Sequence, residues 1–218
     1  MKIILITGAS GFIGRNLVEY LSDQYKLLNP SHYRLDLLDI DKVTDFFQKH
    51  QIDTVIHTAF VGGKRNQPQS YLQLYQNSRM FTNLLHCQQF FSKMIFLGSG
   101  AEYDKRRDLI NVSEKDFGKR IPVDIYGFAK YLCSCLINKE KKIINLRLFG
   151  VFGKYEDYRI RFISAAIRQM LKNQPIKIEQ NAIFDYLYVG DLVKIIHYFI
   201  ENNIVYHFYN IGSGKLRS

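Results

Sequence analysis

Long apolar runs are missing from this 218-residue chain: none approaches the roughly 18 residues that a membrane-spanning helix needs. The hydrophobic opening Ile3-Ile4-Leu5-Ile6 stops at Thr7-Gly8, too short for the apolar core of a secretory signal. It reads as a strand, and the chain as cytoplasmic. Cysteine is scarce too. Cys87, Cys133 and Cys135 are odd in number and have no second Cys or His pair at metal-ligand spacing. That excludes a disulfide framework, fits reduced thiols, and gives no reason to expect a metal. Four prolines and 14 glycines exclude a collagen-like chain, and 15 tyrosines with 16 phenylalanines exclude disorder. The length fits one domain, or one with a small appendage, and allows a sizeable core.

Acidic residues are outnumbered 20 to 30, so the net charge is +10 and an anionic partner is expected. The basic residues are scattered, however, and Lys105-Arg106-Arg107 is the only dense cluster. Neither nucleic acid nor a membrane is expected as the partner.

Short continuous apolar runs alternate with helical spacing along the chain. Strands are predicted at 2–7, 26–29, 54–58, 93–98 and 143–148, and helices at 12–22, 41–50 (with Asp39 or Asp41 near the cap), 70–91 and 125–138. Runs of that kind are buried on both faces of a parallel sheet. Beyond residue 149 the pattern loosens: helices at 160–171 and 191–200, and strands at 176–178 and 206–210. The expected fold is α/β, a Rossmann-type doubly wound parallel sheet. A dinucleotide-binding domain would span 1–150, and a short, partial substrate-binding region 151–218, interleaved with the last strands.

Thr7-Gly8-Ala9-Ser10-Gly11-Phe12-Ile13-Gly14 joins the first strand to the first helix. Glycines at 8, 11 and 14 suit a tight turn, backbone approach to a pyrophosphate and close helix–strand packing. The helix N-terminus adds unpaired N–H groups and partial positive charge. Gly8, Ser10, Gly11, Phe12, Ile13 and Gly14 are therefore candidate cofactor-binding residues. NAD users place a carboxylate at the end of the second strand, where this chain has Asn29 followed by Pro30-Ser31-His32-Tyr33-Arg34. Arg15, Ser31, His32 and Arg34 are candidates for holding a 2′-phosphate. The cofactor is NADP or NAD, with the balance towards NADP.

Tyr126 and Lys130 lie four residues apart on a predicted helix and so on one face. A cation beside the phenol would lower its pKa and make Tyr126 a proton carrier at a carbonyl or alcohol carbon. Ser99 follows a strand at the sheet's ligand-binding end, where it can hydrogen-bond a substrate oxygen or serve simply as a turn residue.

These motifs resemble the extended short-chain dehydrogenases/reductases, in the NAD(P)-dependent epimerase/dehydratase family acting on nucleotide sugars. The resemblance is carried in family order by TGASGFIG at 7–14, His57-Thr58-Ala59, Gly98-Ser99 with Tyr103, YGFAK at 126–130, RLFGVFG at 147–153, DYLYVGD at 185–191 and YNIGSG at 209–214. The segments at 35–39 and 61–63 resemble GDP-fucose synthases and deoxysugar ketoreductases in particular. The resemblance implies hydride transfer at a sugar carbon, as a reductase or epimerase. Ser99, Tyr126 and Lys130 would be catalytic, with Lys130 also holding the nicotinamide ribose. Ala59 and Phe149 would border the cofactor, Ser99, Gly100 and Arg161 the substrate, and Asn77 would give structural support. A homodimer paired through the helices at 70–91 and 125–138 is expected.

Departures from the family pattern bear on the substrate. Phe184 stands where an Arg often grips the diphosphate, leaving Arg161 or Arg159 as candidates, and Gly150 replaces an Asn. Ala101 and, more loosely, Arg161 occupy the places of a Cys and a His that serve epimerisation in fucose synthases. Plain 4-keto reduction or 4-epimerisation therefore fits better. The pattern stops soon after Gly214, so a short substrate region is expected, either because the chain is a fragment or because a minimal enzyme borrows surface from a partner. The alternative reading is a non-catalytic dinucleotide-binding sensor or scaffold.

Overall fold

The computed structural model describes residues 1–63, 68–176, 178, 183–203, 205–214 and 216–217. Six strands form the main sheet: β1 (Ile3–Thr7), β2 (Lys26–Leu28), β3 (Thr54–His57), β4 (Lys93–Ser99), β5 (Ile143–Leu148) and β8 (Phe208–Ile211). All pairs are parallel, in the spatial order β2-β1-β3-β4-β5-β8. The order reverses between β1 and β3, and open α/β sheets bind ligands at such a switch point.

Alternation along β1 explains why its sequence is apolar throughout. Ile4 and Ile6 face α1 (Phe12–Leu21) and α6 (Val189–Glu201), joining Leu17, Leu21, Leu192 and Ile196 in one core. Leu5 points the other way, towards Val43 and Phe47 of α2 (Ile40–Lys49) and Met80, Phe81 and Leu84 of α3 (Tyr71–His86). Cys133 and Ile137 of α4 (Ile125–Ile137) complete that second core. Asp39 caps α2, accepting from the amides of Asp41 and Lys42.

The chain beyond residue 149 divides between two layers. β8 and α6 extend the main sheet and its covering layer. β6 (Gly150–Phe152), β7 (Phe184–Tyr188) and β9 (Leu216–Arg217) form a small second sheet, with α5 (Phe162–Leu171) preceding β7. β6, β7 and β9 are absent from the sequence expectation. Its strand at 176–178 is not formed: Ile176 and Ile178 are irregular, and residue 177 lies outside the described residues. Two helices are shorter than their apolar spacing suggests. The expected helix at 70–91 ends at His86, followed by a 3-10 turn at Gln88–Phe90, and that at 160–171 starts at Phe162, with Arg161 at its N-cap. Among the described residues, no helix is long and apolar enough to cross a membrane.

Candidate active site

The turn after β1 is built so tightly that side chains have no room. Gly8 has a φ of +72°, and a Cβ there would lie 2.6 Å from the Ala59 amide nitrogen. A Cβ on Gly14 would lie 2.3 Å from the Gly8 carbonyl oxygen, which seats the first turn of α1 directly on the loop. The Thr58 hydroxyl donates to the Thr7 carbonyl at 2.7 Å and ties the ends of β3 and β1 together. α1 has no side-chain cap and no acidic residue in its first turn, so its leading N–H groups are open to an anion. Gly14→Ala should cost about 1–3 kcal/mol, because the obstructing atoms are backbone. A thermal melt followed by circular dichroism checks this; an unchanged midpoint would show that α1 can back away from the turn.

A cavity of about 530 Å³ opens at this switch point, lined by Gly8 and Ser10 of the turn, Asn29, Ser31 and His32 after β2, and Ala59 after β3. Arg15, Glu19, Leu35, Leu37, Met80 and Tyr155 are also part of its wall. The uncapped helix, the glycine cradle and the cavity's position fit the adenosine and pyrophosphate portion of a dinucleotide. Gly11 is the N-cap of the helix that Phe12, Ile13 and Gly14 begin, and these four residues are not part of the cavity lining. Arg34 is exposed and not part of the cavity wall.

Ala59 links the cavity to the second group of residues. Its neighbour Phe60 packs edge-on against Tyr126, with ring centroids 5.1 Å apart, and Gly63 presses its backbone against the other part of that ring. Ser99, the last residue of β4, interacts with the Tyr126 phenol as a hydrogen-bond partner. Its hydroxyl also accepts from the Ala101 amide at 3.1 Å and caps the 3-10 turn Gly100–Tyr103.

Lys130 is 6% exposed, and its ammonium donates to the Leu97 carbonyl at 2.5 Å, over the rings of Phe60 and Phe96. Burial lowers its pKa to about 8. Contrary to the spacing argument, the phenol of Tyr126 is raised, chiefly by burial. The long Lys130 side chain turns inward to β4, and the opposing influences on Tyr126 are the Ser99 hydrogen bond and the charge of Arg161. Beneath them His57, buried and bonded to the Thr7 hydroxyl at 2.7 Å, is held neutral: desolvation and the Lys130 charge depress it to about 3.

The sequence reading missed the group that joins these elements. Glu102, fully buried, accepts from the Ser99 amide (3.0 Å), the Ser134 hydroxyl (2.6 Å), Asn145 Nδ2 (3.1 Å) and Arg147 Nε (2.6 Å). Ser134 lies on α4 one turn beyond Lys130, and Asn145 and Arg147 on β5. One carboxylate thus ties Ser99 to the helix carrying Tyr126 and Lys130. Arg147 donates to the Tyr103 hydroxyl, which donates to Asn210 of β8. Its guanidinium lies over Phe117 and Phe208. The Ser-x-x-Glu spacing of a capping box at 99–102 was the available signal.

The remaining candidates border this centre. Gly100 abuts the Phe149 ring, and Phe149 stacks on Tyr103. Arg161 stands 3.9 Å from Glu156, while Arg159 is paired with Asp157. Phe184 is half exposed, and the next residue, Asp185, binds Ser213 and Gly214 and so closes the loop after β8. Asn77 bridges both backbone groups of Val61, a supporting contact. No group of three or more His, Cys, Asp or Glu residues suited to a metal occurs among the described residues.

A doubly wound parallel sheet with this glycine turn at its switch point defines a Rossmann-type dinucleotide-binding protein. The chain belongs to the NAD dependent epimerase/dehydratase family, which it matches over residues 4–212. It is 24% identical to an ADP-L-glycero-D-manno-heptose-6-epimerase of Brachyspira hyodysenteriae, over 99% of this chain and 77% of that protein. It is 28% identical to a GDP-L-colitose synthase of Yersinia pseudotuberculosis, over 91% of this chain and 72% of that protein. Among solved structures, the GDP-mannoheptose C4 reductase of Campylobacter jejuni with NADP bound shares the fold, with a TM-score of 0.85 and 20% identity over 100% of this chain and 82% of that one. Its relatives are enzymes, which sets aside the sensor or scaffold reading.

Proposed function

We propose that the chain reduces, or epimerises through oxidation and reduction, a carbon of a nucleoside-diphosphate sugar. The observation that carries this reading is the gathering of Tyr126 and Lys130, one turn apart on α4, around Phe60, which follows the cavity residue Ala59, with Ser99 acting on the Tyr126 phenol. Relatives named for ADP- and GDP-activated sugars support the substrate class. A bound nicotinamide cofactor supplies or takes up the hydride.

Each side chain has a separate task. Tyr126, kept protonated by burial, gives its proton to the sugar oxygen during reduction and recovers it in the reverse direction. Ser99 directs that oxygen towards the phenol. Lys130 releases the Leu97 carbonyl to hold the cofactor's ribose hydroxyls. Arg161, whose charge already acts on Tyr126, is placed to meet a substrate phosphate. Alanine at 101 leaves no proton carrier there for carbon-centred epimerisation, which favours simple carbonyl reduction or 4-epimerisation. A homodimer through α3 and α4 belongs to the same reading, and Tyr71, Leu72, Tyr75 and Leu136 leave apolar surface on those helices.

The test is to offer NADPH or NADH with a panel of ADP-, GDP- and dTDP-linked 4-keto sugars, and NADP+ or NAD+ with the corresponding 4-hydroxy sugars, following nicotinamide absorbance and product NMR. Consumption of reduced cofactor with a new secondary alcohol is expected. Exchange of C4 epimers without net cofactor use would select the epimerase, and neither outcome across the panel would reject the reading.

A further inference from the structure

The segment after β6 crosses to α1 under visible backbone strain. Tyr155 has a φ of +73°, a left-handed conformation that is costly for an aromatic residue. Several contacts hold it there. The Arg15 guanidinium stacks on its ring, 3.7 Å from the centroid, and its hydroxyl bonds the Glu19 carboxylate. Lys154 binds the same carboxylate at 2.9 Å, and its carbonyl accepts from Asn16 at 2.8 Å. Residues about 140 apart in sequence are thereby clamped along one edge of the cavity, which Arg15, Glu19 and Tyr155 all line.

The chemistry of that edge is selective. Among the described residues Arg15 has no hydrogen-bonded or ion-paired acceptor, so its N–H fork remains available to a ligand. Stacking on a ring fixes the plane of the guanidinium and thus the direction of its donors. Ser31 and His32 line the cavity beside Asn29, and the carboxylate near them, Asp36, lies 3.7 Å from His32 Nδ1. Glu19, the acid on this edge, is occupied by Lys154 and Tyr155.

We propose that residues 153–156 form a strap in which Tyr155 orients Arg15 to receive the 2′-phosphate of NADP(H), making Tyr155 a specificity-determining residue. The inference rests on the cavity taking the adenosine end of a nicotinamide dinucleotide.

Adenosine fragments test it without turnover. By isothermal titration calorimetry, wild type should bind 2′,5′-ADP at least about tenfold tighter than 5′-AMP, as a charge-assisted bidentate contact would give. Arg15→Gln should abolish that ratio while leaving 5′-AMP affinity in place. Tyr155→Gly, which removes the ring and relieves the positive φ, should lose most of it. Tyr155→Phe, which keeps the stack, should retain it. Equal weakening of both fragments by Arg15→Gln would place Arg15 on the shared 5′-phosphate and overturn the proposal. An unchanged ratio in Tyr155→Gly would overturn it as well. If wild type binds neither fragment, the dinucleotide reading fails and the strap with it.

Discussion

Removing the Glu102 carboxylate should destabilise the protein by about 3–5 kcal/mol, the usual cost of leaving one member of a buried ion pair without its partner. Both Glu102 and Arg147 are 0% exposed, so water cannot replace the lost charge. Arg147 Nη2 is already without a hydrogen-bond partner, and loss of the carboxylate would remove the acceptor that Nε has now. Set against a total stability of about 5–15 kcal/mol, a loss of that size is a large fraction. Urea unfolding of Glu102→Gln, read by circular dichroism with m unchanged, gives the number. The double variant Glu102→Gln/Arg147→Met should recover most of it, because a neutral pair of similar volume has no uncompensated charge. A loss below about 1 kcal/mol in the single variant would mean that local rearrangement or water satisfies Arg147, and that the network does not hold the site together.

Sequence patterning revealed those parts of the molecule whose physics is local. The apolar run of β1, the glycines that follow and the helical spacing of α1 lie within twenty residues, and each constrains the next. β6 was hidden because a single residue, Phe149, separates it from β5. β7 was hidden because its aromatic run pairs with strands far away in the chain. The Ile-x-Ile spacing at 176–178 imitates a strand but has no described partner. Around the proposed site, the sequence offered Ser99, Tyr126 and Lys130 as candidates, whereas their electrostatics were not legible. Spacing puts Lys130 on the face of Tyr126, but a flexible side chain chooses its own acceptor, here the Leu97 carbonyl. Glu102 carried a readable capping signal, although its ion pair with Arg147 depends on tertiary packing. Tyr155 carried none, since its role arises from contacts to α1.

Tyr126→Phe should lower turnover by about 10²–10⁴-fold, the range for a positioned general acid, while leaving cofactor affinity intact. The substitution removes one oxygen and nothing else that packs: the ring keeps its edge contact with Phe60 and its seat on Gly63. Stability should therefore change by no more than about 1 kcal/mol, one hydrogen bond to Ser99. The pH profile separates Tyr126 from Lys130. Because burial raises the phenol above its ordinary value of 10, Tyr126 stays protonated, and kcat for reduction at saturating cofactor should stay flat through the neutral and mildly alkaline range. Lys130, lowered to about 8, is charged below that pH and loses its charge above it. Cofactor KM should accordingly rise as pH passes through about 8, with kcat unaffected. The stability linkage has its own sign. A lysine whose folded pKa lies below its unfolded value binds fewer protons when folded, so stability rises with pH between about 8 and 10.5 and is lost towards the lower end. Lys130→Met should flatten that slope and remove the KM limb, whereas Tyr126→Phe should preserve both. If Tyr126→Phe keeps turnover within a few-fold of wild type, the proton comes from another group, and the role assigned to the Ser99–Tyr126 contact is wrong.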